Sequence, residues 1–384
     1  MYNPRIIKNP AKVKEPKPYS FPTGFAGGMN TAYTADQIQE NQSPDMLNMN
    51  FDDGGVPTKR TGYSAVNTIG TAGGVKGEYF YYRKGVTDPI HLVAHSTKLY
   101  SCHLTTGALT SLYNSMSGDQ VNFFTFNDTC FWYDQSSYGY VDSTGAVDVI
   151  DGHSDNSYAP TVTLGRSPDG TTSTVYEAYN SLSYSAIDSF SGTVGDTVFQ
   201  LSATGFAAAE DIGPVYANGV LLATPADYSV NIVTGEVTTT ASPGLGTNNL
   251  TVEWYHETFC KTQGSDVDLI GKCTIHAVYG GKNDTRVFMA GNPTYPNYQW
   301  ISGVTEAGPD PTYFPVDGSI AIDSDAEAIT GMARMADYLI IYKDRSQYYQ
   351  TIDDSASPTT FPVMPLNAEY GCIAPRSVVE VSNG

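Results

Sequence analysis

Four residues with metal-ligating side chains lie close together in the sequence. His256, Cys260, Cys273 and His276 follow the spacing H-x3-C-x12-C-x2-H, the reverse of a C2H2 zinc site. Thiolates and imidazoles at such intervals can hold tetrahedral zinc. The sequence predicts no helix over this stretch, and the four positions straddle the exit from a predicted inserted domain. We therefore expect bystander side chains in strands, with no metal site and no cofactor.

Carboxylates form two further clusters. One is the pair Asp52-Asp53, and the other is Asp323-x-Asp325-x-Glu327. Either cluster offers oxygen ligands for calcium, but the twelve-residue loop with its central Gly and terminal Glu is missing from the sequence. Solvated acids in turns are the expected outcome.

The sequence contains none of the common catalytic motifs. Walker-type, GxSxG, HExxH and dinucleotide-binding GxGxxG patterns are all missing. One enzymatic alternative stays open, a polysaccharide-degrading enzyme, because its paired carboxylates are defined by a spatial separation of about 5–9.5 Å. Tyr298, Trp300, Tyr313 and Phe314 offer a sugar-stacking platform, although aromatic residues in strands more often fill a core. We expect that the protein is not an enzyme.

Composition favours strands and excludes several functional classes. The chain has 384 residues and a formal charge of −20, and charged residues make up 16%, against about 25% in ordinary domains. Its 28 Tyr and frequent Gly turns favour β-structure. The acidic balance argues against a nucleic-acid coat. No apolar run approaches the roughly 18–20 residues of a membrane helix, and no signal-peptide core is present at the N-terminus. Five scattered cysteines predict reduced thiols in strands and assembly in the cytoplasm.

The first 22 residues form a basic, Pro-rich arm. Prolines at this density exclude a helix and favour an extended conformation. The basic residues of the arm are Arg5, Lys8, Lys12, Lys14 and Lys17. Two interpretations stay open: a disordered tail, or an arm that binds an acidic neighbour such as a second copy of the chain. Residues 23–64 are expected to form an irregular connector.

The rest of the chain reads as an all-β fold: a β-propeller with an inserted small β-sandwich (Ig-like) domain and the extended arm. Residues 65–164 and 261–384 show short strands separated by turns, as in four-stranded blades. Two interpretations of the second part stay open: its last strand closes a blade begun on the N-terminal side, or this part of the propeller is incomplete. Asp128 and Asp337 each precede an apolar strand and a further aromatic strand, which indicates a repeat. Residues 165–260 contain hairpin signals at Asn218-Gly219 and Thr234-Gly235, which predict the inserted sandwich.

Residues 24–63 resemble the N-terminal signature of tailed-bacteriophage tail and neck proteins, the family of tail-nozzle, tail-hub and neck-stabilising proteins. The matching positions are Gly27, Gly28, Asn30, Ser43, Pro44, Asp45, Leu47, Asn48, Asn50 and Lys59 to Tyr63. Downstream, the Gly-Asn-Pro at 291–293, the Pro-Thr-Tyr-Phe-Pro at 311–315 and the segment 328–353 resemble blades of the same family.

The resemblance implies a structural virion protein in the tail or neck, assembled in the host cytoplasm. Such proteins form rings, usually hexamers, around the DNA exit channel and contribute to assembly and to genome retention or delivery. The implied partners are further copies of the chain, neighbouring tail or neck and portal-side proteins, and genomic DNA that passes without specific binding. A glycan- or receptor-binding role of residues 165–260 is the alternative, with the polysaccharide-degrading enzyme as the less favoured one.

Overall fold

The computed structural model describes residues 27–51, 57–63, 69, 72–280, 285–323, 327–355, 358–374 and 377–378. The basic residues of the predicted arm, the Asp52-Asp53 pair and Asp325 lie outside these residues. The chain divides into two compact units, residues 1–68 and 69–384. None of the helices in the described part has the length and apolar character to cross a membrane.

The first unit is held by backbone and amide hydrogen bonds. Strands β1 (Met49–Phe51) and β2 (Pro57–Lys59) pair antiparallel, and an isolated bridge joins Met29 to Ser43. The Ser43 amide donates to the Gly28 carbonyl, and Asn30 Nδ2 donates to Gln42 Oε1 at 2.9 Å. Several positions of the family signature therefore bond to one another within this unit.

The second unit begins with two four-stranded antiparallel sheets whose strands follow in sequence order. Sheet A consists of β3 (Val75–Tyr81), β4 (Ile90–His95), β5 (Lys98–Cys102) and β6 (Leu109–Tyr113). Sheet B consists of β7 (Asn122–Phe126), β8 (Thr129–Tyr133), β9 (Tyr138–Val141) and β10 (Val147–Val149).

A two-sheet module follows, with one shared core. The six-stranded sheet has the order β12-β11-β13-β19-β15-β16, and the three-stranded sheet the order β14-β18-β17. Their strands are β11 (Thr161–Arg166), β12 (Thr174–Val175), β13 (Ser185–Phe190), β14 (Val198–Gln200), β15 (Ile212–Ala217), β16 (Val220–Leu221), β17 (Tyr228–Asn231), β18 (Glu236–Thr239) and β19 (Leu250–Tyr255). A 3-10 turn covers Ala209–Asp211. Asn218-Gly219 joins β15 to β16, and Thr234-Gly235 lies in the turn between β17 and β18, so both predicted hairpins are confirmed.

Two short helices lie between the module and the remaining sheets. They are α1 (Glu257–Thr262) and α2 (Asp268–Gly271). The prediction of no helix here was wrong, because a histidine stands at the N-cap position, where Ser, Thr or Asp usually marks the start of a helix. His256 occupies the N-cap position of α1, and its Nδ1 accepts a hydrogen bond from the Phe259 amide at 3.2 Å.

Two more four-stranded antiparallel sheets complete the described fold. Sheet C contains β20 (Ile275–Tyr279), β21 (Arg286–Ala290), β22 (Tyr298–Ile301) and β25 (Ser319–Ala321), with the hairpin β23 (Gly303–Thr305) and β24 (Gly308–Asp310) before its last strand. Sheet D contains β26 (Ile329–Met335), β27 (Tyr338–Lys343), β28 (Gln347–Gln350) and β29 (Val363–Asn367). The described chain is thus almost entirely β, as predicted.

The four-stranded sheets pack face to face in chain order. One apolar cluster joins sheets A and B, a second joins B and C with α2, and a third joins C and D. Among the described residues, no such cluster joins sheet A to sheet D. One face of sheet A and one face of sheet D are therefore left outside the series of inter-sheet cores.

Candidate interaction surfaces

The four residues with zinc-like spacing bind other groups. His256 Nε2 contacts the Thr204 carbonyl at 3.1 Å, and Cys260 Sγ donates to the Tyr184 carbonyl at 3.2 Å. Cys273 Sγ contacts the Leu269 carbonyl at 3.8 Å, and His276 Nδ1 contacts the Tyr133 hydroxyl at 2.9 Å. Within the described ranges, no three His, Cys, Asp or Glu side chains are placed to hold one metal ion. The spacing therefore does not produce a zinc site.

The buried thiols are poor nucleophiles. Burial raises the pKa of Cys130 and of Cys260 to about 12, and it also raises the pKa of Cys273. All five cysteines are unpaired with one another. Cys102 and Cys130 lie in strands as predicted, whereas Cys260 lies in α1, so the expectation of thiols only in strands was wrong.

The described carboxylates of the second acidic cluster are bound within the fold. Asp323 Oδ2 accepts a hydrogen bond from the Tyr348 hydroxyl at 2.5 Å. Glu327 Oε1 accepts from the Arg345 amide at 2.8 Å, and its Oε2 contacts Ser346 Oγ at 3.4 Å. These contacts tie the loop before β26 to sheet D.

The proposed sugar-stacking platform is largely inside the protein. Trp300, Tyr313 and Phe314 are buried, whereas Tyr298 is partly exposed. Trp300 and Phe314 belong to the core between sheets B and C. Of the four aromatic residues, only Tyr298 presents a substantial ring surface to a ligand.

A cavity opens where the first strands of sheets B, C and D begin. It has a volume of about 470 Å³ and is lined by Asn122, Tyr133, Thr274, His276 and Thr330 among others. Burial lowers the pKa of His276 to about 4, so the ring that bonds Tyr133 is neutral at pH 7. Sequence reasoning missed this pair because its two members are separated by 143 positions.

Asn180 anchors the base of the two-sheet module to the motif at 311–315. Its Nδ2 donates to the carbonyls of Tyr158 and Thr312, each at 2.8 Å, and its Oδ1 accepts from the Leu182 and Phe314 amides at 3.0 and 2.9 Å. The side chain is fully buried, so all of its polar capacity is used inside the protein. The Pro-Thr-Tyr-Phe-Pro motif thus positions the module.

Adjacent sheets are also joined by a repeated tyrosine contact. The Tyr81 hydroxyl, at the end of β3, donates to the Asp128 carbonyl in the first turn of sheet B at 2.6 Å. The Tyr279 hydroxyl, at the end of β20, donates to the Asp337 carbonyl in the first turn of sheet D at 2.7 Å. The pair of sheets A and B is therefore repeated by the pair C and D.

Strand register extends this repeat residue by residue. Residues 122–133 of sheet B form a hairpin with the same internal register as residues 331–342 of sheet D. Phe131 therefore corresponds to Ile340, and Tyr133 corresponds to Tyr342. Tyr138 corresponds to Gln347, since each pairs with the tyrosine just named. The predicted repeat at Asp128 and Asp337 is confirmed.

Sheet D presents an uncharged outer face. Register and burial place its outward side chains in one set: Ala333, Met335, Tyr338, Ile340, Tyr342, Gln347, Tyr349 and Met364. Met335 is 55% exposed, and Tyr338 packs edge-on against Tyr349 with ring centroids 5.5 Å apart. Exposed apolar faces of this kind mark interaction sites.

Sheet A presents the second free face. Its outward side chains include Glu78, Phe80, His91, Val93 and Tyr100. Phe80 is 44% exposed and stacks on the His91 ring at 4.4 Å. His91 Nε2 lies 3.7 Å from Glu78 Oε2, which leaves the glutamate as the exposed charge on a mainly apolar face.

The module presents exposed aliphatic side chains at the end away from its connections. At this distal end, β13 and β15 both pair with Leu250, the first residue of β19. At the connected end, β19 leads to His256, whose amide donates to the Tyr184 carbonyl. The loops beyond Leu250 carry Val194 and Leu245, both mostly exposed. The Asn218 side chain donates to the Pro243 carbonyl at 3.0 Å, which holds the neighbouring hairpin against these loops.

No protein-family model matches the chain, and no curated protein matches it. Among solved structures, it is similar to PorZ, a bacterial surface component of the type-IX secretion system of Porphyromonas gingivalis, with 11% identity and a TM-score of 0.27 over 79% of this chain. The extracellular domain of BT4673 from B. thetaiotaomicron gives 10% identity and a TM-score of 0.21 over 80% of this chain. A streptogramin B lyase gives 10% identity and a TM-score of 0.21 over 77% of this chain and 85% of its own.

The chain spans 29% of the PorZ chain and 38% of the BT4673 chain. TM-scores this low support no conclusion about the fold or function of this protein. The functional argument therefore depends on the contacts described above.

Proposed function

We propose that sheets A to D are blades of a β-propeller into which the two-sheet module is inserted as an Ig-like β-sandwich. We propose further that the chain is a structural virion protein of a tailed bacteriophage. In this proposal it forms part of a tail or neck ring around the DNA channel, through contacts with copies of itself and with neighbouring tail or neck proteins.

The observation that carries the proposal is the uncharged outer face of sheet D. The chain has a net charge of −20, yet this face offers only apolar, aromatic and amide side chains. A solvent-facing sheet of a soluble monomer ordinarily alternates apolar and charged residues. A face of this composition supports a role in assembly, as the resemblance to tail and neck proteins implies.

The charge balance supports the conduit role. With 40 acidic and 20 basic residues, the protein repels DNA phosphates on average. DNA then passes a ring of such subunits without specific binding, because retention requires clustered Lys and Arg. The basic arm at residues 5–17 is the exception, and in this proposal it binds an acidic neighbouring subunit.

The protein content of purified phage particles tests the virion role. Particles from the strain that carries this gene would be banded on a density gradient and analysed by quantitative mass spectrometry. The chain should co-purify with the capsid protein at a constant ratio across the particle peak. Its absence from infectious particles would contradict the proposal.

A receptor-binding role is the second candidate, and the distal end of the module favours it. Val194 and Leu245 project there as exposed aliphatic side chains, held by the contacts of Ser242 and Asn218. Aliphatic tips favour a protein surface over a glycan, which is usually bound by exposed aromatic rings. The variant Val194→Asp/Leu245→Asp should reduce adsorption of phage to host cells if this role holds, and should leave it unchanged otherwise.

The polysaccharide-degrading alternative has a direct test as well. The full chain would be incubated with host capsular polysaccharide and the release of reducing ends measured. We expect none above a heat-treated control. Release that persists after further purification of the chain would overturn the non-enzymatic proposal.

A further inference from the structure

We infer that the outer face of sheet D binds the outer face of sheet A in a second copy of the same chain. This deepens the assembly role and rests on the proposed propeller arrangement. The inference names both surfaces and commits to one occupant. The inference is derived from the interface between sheets B and C. The structure contains this interface once, and sheets D and A repeat its two faces.

The face of sheet D that is free corresponds to the face of sheet B that packs on sheet C. Phe124, Phe126, Phe131 and Tyr133 of sheet B are buried in the core with sheet C. Their register equivalents on sheet D are Ala333, Met335, Ile340 and Tyr342. Each set points to the side of its sheet away from the preceding sheet.

The face of sheet A that is free corresponds to the face of sheet C that receives sheet B. Tyr81 pairs with Ile90 as Tyr279 pairs with Arg286, so His91 and Val93 correspond to Val287 and Met289. Val93 pairs with Tyr100 as Met289 pairs with Trp300. Val287, Met289 and Trp300 are the sheet C residues of the core with sheet B.

The exposure of equivalent residues differs at the edge of the face and not at its centre, where Phe131 and Ile340 are each 3% exposed. Phe126 is 5% exposed against sheet C, whereas its equivalent Met335 is 55% exposed. Met335 on sheet D and Phe80 on sheet A, which is 44% exposed, are the exposed parts of two faces that no inter-sheet core covers among the described residues.

A second copy supplies both missing halves at once. Sheet D of the first copy binds sheet A of the second, and sheet D of the second binds sheet A of the first. Two copies then contribute eight sheets to one closed ring, which is within the four to eight blades typical of propellers. The contact is head-to-tail, and closure after two copies prevents open polymerisation.

One polar contact of the new interface follows from the correspondence. In the B–C interface the Tyr133 hydroxyl contacts His276 Nδ1. The equivalents are Tyr342 and Glu78, since Glu78 precedes Tyr81 as His276 precedes Tyr279. The Tyr342 hydroxyl of one copy then donates to the Glu78 carboxylate of the other, a charge-assisted hydrogen bond.

Solution mass tests the pairing with matched variants. Sedimentation equilibrium of the full chain should give twice the 41.3 kDa mass of one copy. Met335→Glu on sheet D or Phe80→Glu on sheet A should weaken association at least about 100-fold, because each places an unpaired charge in the interface. Val194→Glu, at a more exposed site on the module, should leave the mass unchanged.

Mixing the variants separates this interface from others. Met335→Glu retains a normal sheet A face, and Phe80→Glu a normal sheet D face, so their mixture should restore pairing through one interface. Two chains with one added cysteine each, Glu78→Cys and Tyr342→Cys, in a Cys102→Ser/Cys372→Ser background that keeps only the three buried thiols, should be joined by a short bismaleimide when mixed. A mixture of Val194→Cys with Tyr342→Cys should not be joined.

A monomer at all concentrations, or a dimer unaffected by both glutamate variants, would overturn the inference. These results would leave the virion role intact, because that role is measured on phage particles. Conversely, absence of the chain from particles would overturn the virion role. The pairing of sheet D with sheet A would still be decided by the measured solution mass.

Discussion

At the scale of single residues, the side chains that matter most are polar ones, Asn180 fully buried and His276 half-buried. Asn180 links three separate segments through four hydrogen bonds, and His276 is held neutral against Tyr133. Neither residue has a neighbour in sequence that reveals its role. Their environments are created by the packing of the module and of sheets B and C.

Replacing Asn180→Ala should lower the free energy of unfolding by at least about 2 kcal/mol. The substitution leaves two carbonyls and two amides at the module base without their partner, at about 1–3 kcal/mol for each buried group that stays unsatisfied. Urea unfolding followed by tryptophan fluorescence measures the change. Asn114→Ala, at an exposed site with one hydrogen bond to Ser111, is the control and should change stability little. Equal effects of the two variants would contradict the anchoring role.

His276 should make the protein less stable in mild acid. Its pKa is about 4 when folded, against about 6.5 when unfolded, so the unfolded state binds more protons between these values. Stability from this group is complete above about pH 6.5 and falls as the pH drops toward 4. The loss of unfolding free energy between pH 7 and pH 4.5 should be smaller in His276→Gln than in the wild-type chain. Identical pH profiles would show that His276 does not titrate as described.

At the scale of elements, the sequence predicts the strands well and their partners poorly. Hairpin signals at Asn218-Gly219 locate strands because φ > 0 at both central residues suits a tight turn. The helix at 257–262 is missed because His256, an uncommon N-cap residue, begins it. The Tyr133–His276 contact cannot be predicted from one sequence, because nothing local specifies which sheets become neighbours.

The repeated tyrosine contact between sheets should contribute measurably to stability. Tyr279→Phe removes the hydroxyl that donates to the Asp337 carbonyl, so this carbonyl loses its hydrogen bond from the tyrosine. We expect a loss of about 0.5–1.5 kcal/mol in unfolding free energy. Tyr216→Phe, on a partly exposed ring of the module, is the matched control and should be neutral. A neutral Tyr279→Phe would show that apolar packing alone joins sheets C and D.

At the scale of the whole molecule, the net charge and the outer faces of sheets A and D bear on different contacts. The net charge of −20 should disfavour contact with DNA phosphates, while the outer faces of sheets A and D carry little of that charge. Composition alone therefore predicts the relation to DNA. The free faces become apparent only when strand register shows which side of each sheet is covered.

The full chain should not bind double-stranded DNA in a gel-shift assay at about micromolar protein and physiological salt, because it lacks the net positive charge that non-specific binding requires. Removing residues 1–22 deletes the basic arm and should leave this result unchanged. A shift that weakens with added salt and disappears with the arm would instead assign DNA contact to Arg5, Lys8, Lys12, Lys14 and Lys17.

The position of the chain on the phage particle tests the central proposal most directly. Gold-labelled antibodies to the purified chain would be applied to particles of the phage that encodes it and viewed by electron microscopy. The account predicts label confined to the tail or to the neck between head and tail. Label spread over the capsid, or particles that carry the chain nowhere, would contradict it.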